Sequence, residues 1–277
     1  MLLRKIYYSL SPGLRLATRK IFYMPYDLLQ KLSGRRRELQ PDKGDIYIGS
    51  GDFITQGATQ VKILADHIDL KGTDSVLDIG SGIGRTALPL TKILKQGKYE
   101  GFDVVKKGVD WCKKNITSEH PNFNFTFVSL HNDLYNTYEK KGEDFIFPYP
   151  ENNFDKVFLF SVFTHIKCSE IAHYLKEIKR VMKDDGKCLA TFFLYDENYR
   201  DENQDPSFSF PFEYSEGYRL MDKKVPSANI ALSQKLLNKL VDEAELEIVK
   251  IEFGYWNGRT AKENAVNFQD TVIIKSK

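Results

Sequence analysis

Residues 74–85 read DSVLDIGSGIGR, and this stretch decides the fold. The apolar run up to Asp78 predicts a buried strand over residues 75–80. Three glycines then occupy alternate positions, at Gly80, Gly82 and Gly84. Glycine lets the backbone turn tightly and lets a ligand approach without a Cβ in the way. The stretch therefore predicts a strand that runs into a ligand-binding turn, with the carboxylate of Asp78 beside it.

Helical and strand patterns alternate along the chain from about residue 59 onward. Helices are predicted over residues 61–70, 86–95, 106–115, 169–182 and 233–244. Strands are predicted over residues 75–80, 99–105, 124–130, 154–163, 187–195, 246–254 and 269–276. Strands separated by helices form a parallel sheet with right-handed crossovers. Only a loop separates the last two strands, so the sequence predicts an α/β fold with a doubly wound, mostly parallel seven-stranded sheet and one antiparallel strand near its edge.

Two carboxylates distinguish this turn from a dinucleotide site. The dinucleotide pattern GxGxxG requires its third glycine where this chain has Arg85. Asp78 would repel a pyrophosphate, but it suits a ligand that carries an ammonium group and a sulfonium charge. Asp103 ends the second predicted strand, nineteen residues after Gly84, where an acid can accept both hydroxyls of a ribose.

The stretches VLDIGSGIGR, FDKVFLFSVFTH and EIKRVMKDDGK, together with Asp103, resemble the class I S-adenosylmethionine-dependent methyltransferases over about residues 59–277. The resemblance implies a Rossmann-like methyltransferase fold and S-adenosylmethionine as the cofactor. It also implies methyl transfer to a small-molecule, sugar or lipid-like acceptor, which we expect to be methylated on oxygen. An Asn-Pro-Pro-Tyr or Asp-Pro-Pro-Tyr run after the fourth strand would favour an amide or nucleobase nitrogen, and this sequence has neither.

The resemblance implies a set of cofactor-binding residues. They are Asp78, Gly80, Ser81, Gly82, Gly84, Asp103, His131, Asn132, Ser161, Phe53 and Gly57. The glycine turn would cradle the methionine part of the cofactor, and Asp78 would order that turn or hold the amino group through water. Asp103 would bind the ribose.

The other predicted contacts come from three places in the chain. His131 or Asn132 stands where the family often has an acid for the adenine amine. Ser161 would line the pocket beside the reacting methyl group. Phe53 and Gly57 would form a lid over the cofactor.

His165 follows the fourth strand and is the candidate catalytic residue. An imidazole titrates near neutral pH, so it could take a proton from a substrate hydroxyl. The alternative is a loop histidine that only orders the backbone. Histidines and acids do not occur at metal-ligand spacing, and we expect no metal site.

Charge is unevenly distributed along the 277 residues. Residues 1–40 contain nine Lys or Arg and two Asp or Glu, a net charge of +7, so the remainder carries −5 of the overall +2. We predict a basic, amphipathic helical extension and lid over residues 1–58 and a methyltransferase domain over residues 59–277. Within that domain, residues 196–232 form a polar, aromatic insertion that we expect to cover the substrate.

The basic extension has three interpretations. It packs on the domain as a solvated helix, it makes peripheral contact with an anionic membrane surface through residues 1–40, or it binds an acidic substrate or nucleic acid. Nucleic acid is the least favoured partner, because the body is net acidic and no RNA- or DNA-binding module is recognisable.

Location and activity can also be predicted from the sequence. We find no signal peptide and no apolar run of membrane-spanning length, and the three cysteines form no CxxC pair, so we expect a cytoplasmic protein. Two alternatives to methyl transfer remain, a nicotinamide-dependent oxidoreductase and a non-catalytic cofactor-binding scaffold.

Overall fold

A computed structural model describes residues 10–34, 39–49, 51–136, 138–196, 199 and 208–277. Residues 1–9 of the predicted helical extension lie outside these ranges. The described strands are β1 (Ser75–Ile79), β2 (Lys98–Asp103), β3 (Phe123–Phe127), β4 (Phe154–Leu159), β5 (Met182–Phe192), β6 (Leu194–Tyr195), β7 (Phe212–Ser215), β8 (Tyr218–Leu220), β9 (Ile230–Ser233), β10 (Leu246–Glu252) and β11 (Asp270–Ser276).

The described α-helices are α1 (Pro12–Leu32), α2 (Phe53–Ile68), α3 (Ala87–Leu90), α4 (Lys106–Cys112), α5 (Cys168–Val181) and α6 (Gln234–Glu243). A π-helical turn, Lys113–Thr117, continues α4. Ser11 and Pro12 begin α1, because proline is pre-organised for the first helical position. Asp52 caps α2 by accepting from the Thr55 N–H at 2.9 Å.

Seven strands form the main sheet, in the order β10-β11-β5-β4-β1-β2-β3. β11 runs antiparallel to both of its neighbours, while the pairs from β5 to β3 are parallel. This confirms the predicted fold class, including the reversed strand one place from the edge. The strand order reverses between β4 and β1. β1, β2 and β3 lie on one side of this switch point, and β4 and β5 lie on the other.

Both faces of the sheet are buried, as a doubly wound fold requires. Leu77 and Ile79 of β1 face a cluster that also contains Leu175 of α5 and Leu237 of α6. Val76 points to the other face, where the cluster includes Leu64, Leu90 and Val109, which come from α2, α3 and α4. The carboxyl ends of β1, β2 and β4 therefore meet at one edge with rigid support on both sides.

The structure differs from the predictions in three places. The helix predicted over residues 86–95 is only the single turn of α3, because the N–H groups of Gln96 and Gly97 donate to the carbonyl of Gly72 and draw the chain back towards β2. α2 begins at Phe53, so it crosses the predicted boundary between residues 58 and 59. The domain division itself stays a prediction.

The third difference is in the insertion, residues 196–232. Its described part is not a loop alone, because β7, β8 and β9 pair with β6 in a second, four-stranded sheet. These strands have two to four residues each, too few to show a periodic pattern in the sequence. Phe208 and Phe210 pack against Phe193 and Trp256 beside this sheet.

Candidate active site

The glycine turn is held to the neighbouring strand. The N–H groups of Gly80 and Ser81 both donate to the carbonyl of Phe102 on β2, at 2.9 and 3.0 Å. Gly80 has a φ of +79°, and a Cβ there would lie 2.4 Å from Cγ2 of Val162. Only glycine fits this position, because it tolerates the left-handed conformation and leaves room for the loop after β4. The turn after β1 and the loop after β4 are thus in direct contact.

Asp103 joins the end of β2 to the same turn. Its Oδ2 accepts the Gly82 N–H at 2.8 Å and its Oδ1 accepts the Val105 N–H at 2.8 Å. The hydroxyl of Tyr47 lies 3.5 Å from Oδ1. Burial raises the pKa of Asp103 from 3.8 to about 6, although these hydrogen bonds oppose the shift. The fold therefore holds Asp103 against the glycine turn, and its predicted contact with the ribose stays a prediction.

Asp78 lies beneath the turn. Its Oδ2 accepts the hydroxyl of Tyr99 at 2.5 Å, and the ring of Tyr99 stacks on Phe123 with centroids 4.9 Å apart. Burial is the main reason that the pKa of Asp78 rises from 3.8 to about 7, and the charge of Asp103 adds to it. The hydrogen bond connects Asp78 to β2 rather than to the backbone of the turn, so its predicted contact with the cofactor stays a prediction.

We predict that Asp78→Asn changes how stability depends on pH. Since the pKa of Asp78 is raised on folding, the folded chain binds more protons than the unfolded chain between about pH 4 and pH 7, and wild-type stability falls as pH rises through this window. Asparagine keeps an acceptor for Tyr99 and has no charge to bury. The variant should equal wild type near pH 4 and exceed it by roughly 2–4 kcal/mol at pH 8.

Urea unfolding of the ligand-free protein from pH 4 to pH 8 measures this difference. Asp66→Asn is the matched control, because Asp66 is an exposed helix acid paired with Lys62. A gap between wild type and Asp78→Asn that stays constant with pH would contradict the prediction.

A short segment covers the turn, and we call residues 46–49 and 51–53 the covering segment. Ile46 and Phe53 pack against Ile83 in a small apolar cluster. A Cβ on Gly82 would lie 3.0 Å from Cγ2 of Ile48. The Arg85 guanidinium donates to the carbonyl of Ile48, which ties the segment to the start of α3. A lid was predicted for this part of the chain, but the contacts of Ile48 and its neighbour Tyr47 were not.

The two residues predicted to form the lid differ in position. Phe53 is 2% exposed and belongs to the covering segment. Gly57 instead marks the closest approach of α2 to the body, since a Cβ there would lie 2.3 Å from the carbonyl oxygen of Arg85. Its structural role is close packing, and its predicted contact with the cofactor stays a prediction.

The two candidates after β3 point in different directions. His131 is exposed, and its Nδ1 lies 2.8 Å from the carbonyl of Tyr138. Asn132 is buried, and its amide donates to the carbonyl of His165 at 3.1 Å. Asn132 therefore connects the loop after β3 to the loop after β4, and the predicted adenine contact of either residue stays a prediction.

Ser161 is placed by two polar contacts at the end of β4. Its N–H donates to Oγ1 of Thr191 at 2.8 Å, and its hydroxyl donates to Oε1 of Gln269 at 2.9 Å. Its φ of +60° is unusual for a residue with a side chain, and such strain is often found at functional sites. Gln269 comes from the loop before β11, far away in sequence, so only the fold could bring it here.

His165 is anchored by the insertion. Its Nδ1 lies 2.9 Å from the carbonyl of Ser227, in the 3₁₀ turn Pro226–Ala228, so Nδ1 is the donor and Nε2 carries the lone pair. The N–H of Ile230 donates to the carbonyl of Thr164 at 3.0 Å. Burial lowers the pKa of His165 below 6.5, which leaves the ring neutral at pH 7. A neutral imidazole has the protonation state of a general base.

Comparison with known proteins agrees with this geometry. Residues 77–190 match the family model described as a methyltransferase domain, and this range contains the glycine turn, Asp103 and the loop after β4. Residues 77–190 carry a methyltransferase domain. This family and its fold imply S-adenosylmethionine as the cofactor.

Two curated proteins resemble part of the chain. YrhH of Bacillus subtilis (strain 168), assigned as a methyltransferase, is 30% identical over 125 residues, which are 45% of this chain and 61% of that protein. The phosphoethanolamine N-methyltransferase of Plasmodium falciparum (isolate 3D7) is 28% identical over 167 residues, which are 60% of this chain and 53% of that enzyme. The chain thus spans about half to three fifths of the curated relatives it matches.

One solved structure illustrates the shared fold of the methyltransferase domain. The PH0226 protein from Pyrococcus horikoshii OT3 superposes with a TM-score of 0.56 at 14% identity, over 84% of this chain and 95% of that one. At this level of identity the likeness concerns the fold alone.

The residues of the methyltransferase domain fit the implied cofactor. The turn has no side chain at Gly80, Gly82 or Gly84, and a buried carboxylate stands at the end of β2. The hydroxyl of Ser81 is buried without a hydrogen-bond partner among the described residues, so it is able to bond to a ligand in the turn. Polar groups of this kind at the carboxyl ends of parallel strands are what a nucleoside with an amino-acid tail requires.

Proposed function

We propose that this protein transfers a methyl group from S-adenosylmethionine to oxygen of a small-molecule, sugar or lipid-like acceptor. The observation that carries the proposal is the contact between Asp103 and the Gly82 N–H within the matched domain. That contact joins a carboxylate suited to a ribose to a turn suited to the methionine tail.

Each part of the site has a task in this proposal. The bound cofactor supplies a methyl group activated by its sulfonium sulfur. Asp103 and the turn Gly80–Gly84 hold the cofactor, and the covering segment excludes water from it. Ser161 and His165, which follow β4, would meet the acceptor, and holding the acceptor in line with the methyl group supplies much of the rate.

Oxygen is favoured as the target atom by the sequence at the end of β4. The run after this strand is Ser-Val-Phe-Thr, residues 161–164, and not the Asn-Pro-Pro-Tyr or Asp-Pro-Pro-Tyr that goes with amide or nucleobase nitrogen. Nucleic acid is disfavoured as an acceptor because residues 41–277 carry a net charge of −5.

An amine is the second candidate acceptor. It is supported by the similarity to the phosphoethanolamine N-methyltransferase, which extends over 60% of this chain. A neutral His165 would serve here as well, because an ammonium group must lose a proton before it can attack the methyl group.

The test has two parts. Calorimetric titration with S-adenosylhomocysteine should show binding, and titration with reduced nicotinamide dinucleotide should show none. Radiolabelled S-adenosylmethionine is then incubated with a panel of hydroxyl and amine acceptors, including phosphoethanolamine. Label on a hydroxyl supports methylation of oxygen, and label on an amine supports methylation of nitrogen. Binding of the reduced nicotinamide dinucleotide, without binding of S-adenosylhomocysteine, would support an oxidoreductase. Binding of S-adenosylhomocysteine without methyl transfer to any acceptor would support a non-catalytic scaffold.

We expect His165→Ala to lower kcat by ~10²-fold or more and to leave the affinity for S-adenosylhomocysteine unchanged. In wild type the rate should decline only as the pH drops below the lowered pKa of His165, that is, below 6.5. His173→Ala is the control, because its Nε2 also lies 2.8 Å from a backbone carbonyl, that of Phe145. A near-normal rate for His165→Ala would remove this residue from the mechanism.

A further inference from the structure

Helix α1 turns its polar side towards the body of the protein. Arg15, Arg19, Tyr23 and Asp27 recur every four residues and are among the more buried positions of the helix, together with Leu16 and Gln30. Arg15 donates to the carbonyl of Leu134 at 3.0 Å. The carboxylate of Asp27 accepts from the backbone N–H groups of Lys43 and Gly44, at 2.7 and 3.0 Å.

The opposite side of α1 is apolar and exposed. Seven large apolar side chains of this helix are between 55% and 77% exposed, namely Leu14, Ile21, Phe22, Met24, Leu28, Leu29 and Leu32. A surface helix normally buries its apolar side and exposes its polar side, so α1 is inverted. Single exposed leucines are common, but a continuous apolar strip marks an interaction surface.

Charge indicates the chemistry of the partner. Residues 1–40 carry a net charge of +7, and Arg35, Arg36 and Arg37 follow α1 directly in the sequence. The one acid within α1, Asp27, faces the body. The sequence around the apolar strip is therefore rich in positive charge, which complements an anionic surface.

The geometry points to an anionic membrane surface as the partner of α1. The 21 residues of the helix extend over about 30 Å, and the helix would lie flat with its exposed leucines in the headgroup boundary. Among the described residues, no helix is both long and apolar enough to cross a membrane.

This arrangement also orients the active site. The polar side of α1 and residues 40–53 line a cavity of about 770 Å³ that includes Tyr23, Tyr47 and Phe53. Tyr47 is the residue whose hydroxyl approaches Asp103. Docking through the opposite side of α1 would leave this cavity on the protein side of the helix, about one helix diameter (~10 Å) from the lipid headgroups. Docking itself does not depend on the proposed methyl transfer.

Co-sedimentation of the full chain with vesicles tests the inference. Wild type should bind phosphatidylcholine vesicles containing 30% phosphatidylglycerol at least tenfold more tightly than pure phosphatidylcholine, and added salt should weaken the binding. The triple variant Ile21→Gln, Leu28→Gln, Leu32→Gln removes the centre of the apolar strip and should lose at least tenfold of that affinity. Replacing the three arginines 35–37 by Gln should weaken binding to the anionic vesicles alone, by roughly fivefold for each arginine close to the surface.

The matched control replaces three exposed side chains elsewhere, Ile146→Gln, Tyr214→Gln and Val249→Gln. These are 69%, 70% and 53% exposed, similar to the three positions on α1, and their replacement should leave vesicle binding intact. Circular dichroism and thermal melting verify that both triple variants are folded.

Two results would overturn the inference. One is equal binding of wild type and the α1 variant, or no binding of either, to anionic vesicles. The other is a concentration-dependent dimer, seen by sedimentation equilibrium without vesicle binding and dissociated by the α1 substitutions, which would assign the strip to a second copy of the chain.

Discussion

Asp103→Ala should weaken the binding of S-adenosylhomocysteine by on the order of 100-fold, a loss of about 3 kcal/mol. The substitution removes the predicted partner of the ribose hydroxyls. It also leaves the N–H groups of Gly82 and Val105 without the acceptor that holds the turn in place. A buried donor without a partner costs about 1–3 kcal/mol, so both effects act in the same direction. Isothermal titration calorimetry of wild type and variant measures the change.

Asp110→Ala is the control for the charge of this region. Asp110 is an exposed acid on α4 that pairs with Lys106 at 2.7 Å, so its removal should change the affinity little. Asp103→Asn separates the two effects, since it retains one acceptor for the backbone and loses the negative charge. Unchanged affinity in Asp103→Ala would remove the central support of the proposed function.

Asp270→Ala should destabilise the folded protein by about 3–5 kcal/mol. Its carboxylate is fully buried and accepts from the Leu194 N–H at 2.6 Å, the Gly254 N–H at 2.8 Å and the Trp256 indole N–H at 2.7 Å. Burial raises the pKa of Asp270, which shows that the charge itself is costly. Losing three hydrogen bonds costs more than removing the buried charge gains, because each N–H group left without an acceptor has no access to water.

Urea unfolding at pH 7 is the measurement, with Asp242→Ala as the control. Asp242 is 74% exposed and pairs with Lys277 on the surface, where an ion pair contributes about 0–1 kcal/mol. Loss of less than ~1 kcal/mol in Asp270→Ala would mean that the three donors find other partners. The effect should extend to the active site, because neighbouring Gln269 holds the hydroxyl of Ser161.

The inverted helix α1 shows what a sequence pattern can and cannot predict. Its apolar spacing predicted an amphipathic helix, and residues 12–32 do form one. The pattern alone did not indicate which side faces the body, because the usual expectation is that the apolar side does. That choice depends on Asp27 reaching the N–H groups of Lys43 and Gly44, partners from a segment without periodicity of its own.

The covering segment and the insertion illustrate the same limit. A lid was expected near Phe53, but the contact of Ile48 with Gly82 and the carbonyl it offers to Arg85 depend on residues more than thirty positions away in the chain. The second sheet consists of strands of two to four residues, too short for alternation to be detected. His165 could be proposed from its place after β4, whereas its anchor at Ser227 could not.

The sequence by itself determined the parallel sheet, its reversed strand and the edge at which the glycine turn lies. Periodicity and the glycine spacing are local properties, and strand connections through helices admit few topologies. The tertiary structure decided which groups each polar side chain meets, since Asp78 finds Tyr99 and Asn132 finds His165 only after the strands are aligned. Such contacts depend on packing between distant segments, and no local pattern in the sequence predicts them.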